Sequence, residues 1–152
     1  MNNTKLYPLL FIPEPHEKVW GGDRLKNILN LEFSTEDYPG LTGKDPIGES
    51  WEISGMLNDS SVVENGFFAE NTLEEFVDTY MGDAIGENIF QYYRGQFPLL
   101  FKVLDVEDKL SLQVHPNDIV AMEREDSYGK AECWYIMEAD PTAKIYMGFN
   151  RD

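Results

Sequence analysis

Gln113 and His115 sit two residues apart in the alternating run Leu110-Ser-Leu-Gln-Val-His115, and Lys130 and Glu132 do the same in Gly129-Lys-Ala-Glu-Cys-Trp134. Residues i and i+2 of an extended chain share a face, so each run presents its polar pair on one side, with Trp134 following Glu132. If the two runs pair as strands, an amide oxygen, a neutral imidazole and a carboxylate converge. That mixed donor set suits Zn²⁺ or another borderline divalent cation. The same spacing also describes the wetted face of a half-buried strand, and spacing alone does not separate the two readings.

The surrounding elements must hold these residues. The alternation places Leu110, Leu112 and Val114 on the face opposite Ser111, Gln113 and His115, and Pro116 ends the strand. Asn117 or Asp118 then caps a short helix through Met122. Glu132–Met137 and Ala143–Phe149 read as two further strands around a turn at Asp140-Pro141, in which Cys133 points away from Glu132 as a small core residue. Pro98–Leu104 is a nearly continuous apolar run with one charge, Lys102, and reads as a buried strand. Lys102 is also the kind of residue that protects a sheet edge.

Upstream, Glu49–Ser54 alternates as a strand and Val62-Val63 continues the extended pattern. Thr72-Leu-Glu-Glu75 is a capping box, followed by Leu73, Phe76, Val77 and Tyr80 on one helical face. Residues 1–20 are extended because Pro8, Pro13 and Pro15 forbid a long helix. His16 lies among them as a solvent-exposed loop residue. Trp20-Gly21-Gly22 marks a turn, Arg24–Leu31 a short amphipathic helix through Leu25, Ile28 and Leu29, and Glu32–Pro46 a loop. Without a repeat or an evident linker, residues 1–152 read as a single domain.

Twelve basic against twenty-eight acidic residues leave a net charge of −16, which opposes binding to nucleic acid or an anionic membrane. At 42% hydrophobic and 13% aromatic the chain has a core to bury, about 70% of its unfolded surface for this size. Its lone cysteine forms no intrachain disulfide and fits a reducing cytoplasm. The apolar run Leu6–Ile12, broken by Pro8, does not read as a secretory signal, and no run reaches the roughly 18 apolar residues of a membrane span.

Pro98-Leu-Leu-Phe-Lys-Val-Leu-Asp105, Leu110-Ser-Leu-Gln-Val-His-Pro116 and Gly129-Lys-Ala-Glu-Cys-Trp-Tyr135 resemble the ordered motifs of the class I phosphomannose isomerases, in their shorter bacterial branch. Lys18-Val-Trp-Gly-Gly22 and Gly48-Glu-Ser-Trp-Glu-Ile-Ser54 are similar to two earlier blocks of that family. The resemblance implies a mainly β fold with short helices, a cupin-type jelly-roll barrel incomplete in this chain, and interconversion of mannose 6-phosphate and fructose 6-phosphate. It assigns Gln113, His115 and Glu132 as zinc ligands. It also makes Lys130 and Lys102 catalytic or substrate-facing, and puts Trp20, Glu49 and Ser111 near the substrate pocket. Ordinary alternatives stand beside these roles: Trp20 and Trp51 as partly core aromatics, Glu49 as a solvated strand residue and Ser111 as a residue a strand tolerates.

The family's fourth ligand, a downstream histidine, and its substrate arginine have no counterpart in this sequence, so the resemblance implies an N-terminal portion of such an isomerase. The expectations are weak zinc binding, little isomerisation by residues 1–152 alone, a sugar phosphate as the small-molecule partner, and self-association through open strand edges. Two other readings are a non-catalytic cupin-like sugar-binding or regulatory module and a metal-dependent cupin of different activity. The latter usually relies on several histidines.

Overall fold

The computed structural model describes residues 5–28, 33–56, 58–148 and 150. They form two compact units, the first ending at Lys109 and the second starting at Leu110. Among the described residues no helix is long and apolar enough to cross a membrane.

In the first unit the elements run β1 (Glu14–Glu17), α1 (Arg24–Ile28), β2 (Ile47–Met56), β3 (Asp59–Ser60), a 3₁₀ turn (Gly66–Phe68), α2 (Leu73–Tyr80), α3 (Gly82–Ile85), α4 (Glu87–Tyr92) and β4 (Leu100–Leu104). The long β2 is central. It pairs antiparallel with β1, with β4 and, at its far end, with β3. The alternation of Glu49–Ser54 is therefore a strand, but one that carries irregularities. Trp51 pairs with Lys102 and Ile53 with Phe101, so Glu52 is an extra residue on β2. This insertion breaks the period of two, and Ile53 packs against the core cluster while Trp51 stays in the row of Lys102.

That core is Val63, Phe68, Leu73, Phe76 and Val77. It forms because α2 presents its apolar face to the Val62-Val63 segment, which makes bridges to Phe11 and Thr72 rather than a full strand. The capping box starts α2 as expected: Thr72 Oγ1 accepts from the Glu75 amide at 3.1 Å and Glu75 Oε2 from the Thr72 amide at 2.9 Å. The helix stops where Met81 takes a positive φ of 49°.

The Trp20-Gly-Gly22 turn is fastened to the residues after β4. The Trp20 carbonyl accepts from the amides of Glu107 and Asp108 at 2.9 and 3.2 Å, and buried Asp105 accepts from the Arg24 amide through Oδ2 at 2.6 Å. Gly21 faces Gly48 so closely that a Cβ on it would lie 2.6 Å from the Gly48 nitrogen. The amphipathic helix predicted over Arg24–Leu31 is present as α1, and its Leu29–Leu31 end lies outside the described residues.

Two expectations for this unit need correction. The strand predicted as buried over Pro98–Leu104 is β4, but it is only half buried and Phe101 is 64% exposed. The reason is its place: β4 pairs with β2 alone among the described residues, so one edge is open. His16 is not an exposed loop residue; it lies on β1, half buried, with its ring centroid 4.1 Å from that of Trp51 and tilted by 36°.

The second unit contains α5 (Asp118–Glu125). Asn117 caps it, accepting from the Val120 amide at 3.0 Å, and Asp126 ends it in a left-handed conformation. The turn at Asp140-Pro141 is present, with the Ala143 amide bonded to the Asp140 carbonyl at 2.9 Å. The strands predicted at Leu110–His115, Glu132–Met137 and Ala143–Phe149 are not formed in their described residues, Phe149 lying outside them. Leu112 and Val114 are 85% and 77% exposed, and Cys133 is exposed rather than packed in a core. A period of two encodes a face but no partner, and a strand without a ladder leaves its amides and carbonyls to water. The result is an open four-stranded sheet with short helices, in which the expected jelly-roll barrel is not closed.

Candidate functional site

One face of the sheet in the first unit gathers the polar residues. Cross-strand partners share a face, and the register opposes Glu14 to Trp51, His16 to Glu49 and Trp51 to Lys102. At the centre is Glu49, only 8% exposed. Its Oε1 lies 3.3 Å from Lys102 Nζ; its Oε2 accepts from the Trp51 indole N–H at 2.8 Å and lies 3.9 Å from Lys18 Nζ. Burial on its own would raise the Glu49 carboxyl, but the indole N–H, Lys102 and Lys18 outweigh it and hold the group below the usual carboxylate range. Two ammonium groups thus share one carboxylate. With Glu14 on the same face, the two lysines are balanced by two carboxylates within a chain of net charge −16.

Gly48 lets this happen, because a Cβ there would collide with the Lys18 side chain at 2.7 Å and the Trp20 ring at 2.9 Å. Trp20 is half buried beside it. His16, in tilted contact with Trp51, is kept mainly neutral, since desolvation, with help from Lys18, lowers its pKa more than the carboxylates of Glu14, Glu49 and Asp59 raise it.

In the second unit His115 Nε2 lies 3.3 Å from Glu132 Oε2, and Lys130 Nζ lies 3.6 Å from Glu132 Oε1. A close backbone approach brings them together without a β-ladder. A Cβ on Gly129 would stand 2.6 Å from the Asn117 carbonyl carbon and the Asp118 nitrogen, and the Lys130 amide bonds the Pro116 carbonyl at 3.3 Å. His115 Nε2 is buried and makes no hydrogen bond despite its nearness to Glu132. Gln113 bonds to Ser111 instead of to either, through Nε2 and Ser111 Oγ at 2.9 Å. That bond uses the amide N–H and not the carbonyl oxygen that a cation takes.

The sequence of residues 9–143 matches the family model described as phosphomannose isomerase type I, catalytic domain. The chain belongs to this family. Over 142 residues it is 37% identical to a mannose-6-phosphate isomerase of Streptococcus mutans, covering 93% of this chain and 40% of that protein. Over 145 residues it is 36% identical to the mannose-6-phosphate isomerase ManA of Bacillus subtilis, covering 94% and 41%. The crystal structure of the mannose 6-phosphate isomerase from Bacillus subtilis superposes with a TM-score of 0.66 at 31% identity, over 88% of this chain and 38% of that one. The chain therefore spans about two fifths of the length of these relatives.

Of the residues singled out by the family motifs, the structure brings His115, Glu132 and Lys130 together, and separately Glu49 and Lys102, with Trp20 near Gly48. Gln113 and Ser111 pair with each other on an exposed stretch. Among the described residues no three of His, Cys, Asp and Glu form a cluster able to hold a metal. An orphaned, buried imidazole nitrogen beside a carboxylate oxygen is nevertheless donor chemistry that a cation fits.

Sequence reasoning missed Lys18, the Trp51 indole and His16 as members of the Glu49 face. The signal was available. An extended reading of residues 1–20 puts Glu14, His16 and Lys18 on one face by the same rule that groups Glu49 with Trp51.

Proposed function

We propose that the protein containing this chain interconverts mannose 6-phosphate and fructose 6-phosphate, with Gln113, His115 and Glu132 holding a zinc ion. The observation that carries this reading is the unpartnered His115 Nε2 at 3.3 Å from Glu132 Oε2 in a chain of the phosphomannose isomerase family. Bound zinc supplies the electrophile that aldose–ketose isomerisation needs at the sugar oxygen. His115 offers a neutral nitrogen and Glu132 a carboxylate oxygen toward it. Lys130, beside Glu132, presents an ammonium to the anionic sugar, and Lys102 presents another from the sheet face. Trp20 and Glu49 in the first unit, and Ser111 in the second, are substrate-facing residues in this reading. A dry, preorganised pocket of this kind belongs to a closed cupin-type barrel, and the exposed thiol of Cys133 suits a cytoplasmic setting.

A coupled assay for fructose 6-phosphate with zinc present tests the reading. Lys130→Met should lower turnover at least about tenfold while leaving the metal in place. Zinc retained by a protein that never converts mannose 6-phosphate would contradict it.

A further inference from the structure

Trp51 reads in the sequence as a partly buried aromatic, yet its indole N–H is spent on one acceptor. It donates to Glu49 Oε2 at 2.8 Å, within the strand and across one residue. Its ring meets that of His16 in a tilted contact with centroids 4.1 Å apart, and its cross-strand neighbour is Lys102, whose ammonium lies 3.3 Å from the other oxygen of the same carboxylate. With Oε2 taken by the indole, Oε1 is the oxygen left to meet Lys102. Lys18, at 3.9 Å from Oε2, is the weaker claimant.

We propose that Trp51 is a positioning residue for Lys102: its indole N–H fixes the Glu49 carboxylate, and Glu49 in turn holds the Lys102 ammonium on the sheet face. This rests on the reading of Lys102 as a substrate-facing cation. A hydrogen bond to a charged group contributes more than one between neutral partners, so removing the indole N–H loosens both members of the chain of contacts. His16 and Lys18 from β1 and its flank, and Lys102 from β4, are the charged or titratable groups facing Glu49, with Glu14 opposite Trp51 beside His16.

The test is Trp51→Phe in the intact protein, which retains an aromatic ring for His16 and deletes the N–H donor together with part of the indole. Thermal melting reports packing. Carbon-13 spectra of the Glu49 carboxyl and of dimethylated Lys102 report the contacts. The expected result is a Glu49 titration moved to higher pH, a Lys102 resonance moved toward its position in Glu49→Gln, and about tenfold weaker binding of mannose 6-phosphate. An unchanged Glu49 titration and Lys102 resonance in the folded variant would overturn the proposal. If Trp51→Phe does not fold, the wild-type protein decides: the Trp51 indole proton must shift as Glu49 titrates, and an indifferent indole proton overturns the link. A Lys102 resonance that ignores mannose 6-phosphate, together with a shifted Glu49 titration in Trp51→Phe, overturns the substrate-facing role of Lys102 and keeps the Trp51 contact.

Discussion

At the scale of single residues the two histidines divide the chemistry. His16 is desolvated against the Trp51 ring, with a folded pKa below the ordinary 6.5. As pH falls below 6.5 the unfolded imidazole takes up a proton before the folded one does. Stability from this group is therefore complete above that pH and is lost as pH falls through the lower folded value. Melting temperature followed from pH 8 to 5 should drop less in His16→Phe than in the wild type; parallel curves would contradict this. Glu49 acts in a lower window. Its folded carboxyl titrates below the ordinary 4.5, so its contribution is present above that pH and disappears under further acidification, and Glu49→Gln should flatten stability only there. The motif residues His115, Glu132 and Lys130 were legible as a group because their spacing and family resemblance agree. Trp51 was not legible as a donor, because an indole in a strand packs as readily as it bonds.

Among the elements, α2 and the Asn117 cap of α5 were read correctly, whereas α3 and α4 were not read at all and α5 runs on to Glu125. The α2 helix follows from four adjacent residues that satisfy each other's amides, and Thr72→Ala should cost about 1 kcal/mol, seen as an earlier urea midpoint with an unchanged slope. An unaltered midpoint would show that the box contributes nothing beyond the packing of Phe76 and Val77. The β2 strand was legible too, although its extra residue at Glu52 was not, since a bulge is set by the register of a partner that the strand's own sequence does not contain. The segments 110–115 and 132–137 fail for the same reason carried further. Their alternation is genuine, but ladder bonds are made with a distant segment, and here a turn-like approach at Gly129 does the joining instead. Gly129→Ala should separate His115 from Glu132 and lower zinc affinity; retained affinity would place the joining elsewhere.

For the whole molecule, the two units differ in how their backbones are satisfied. Amides of β2 and β4 should exchange with deuterium slowly, and those of residues 110–115 and 132–137 quickly; equal protection of both would mean that the second unit pairs as strands after all. The exposed apolar side chains of that unit, Leu112, Val114, Tyr135 and Met147 among them, make it the less stable part. Yet it carries the donors on which the isomerase reading depends. Metal analysis after exhaustive dialysis against trace zinc tests that reading most directly. The wild-type protein should retain up to one zinc per chain, with at least a tenfold loss of affinity in both His115→Ala and Glu132→Ala and none in His16→Phe. Equal zinc retention by all four proteins would contradict the metal site at His115 and Glu132.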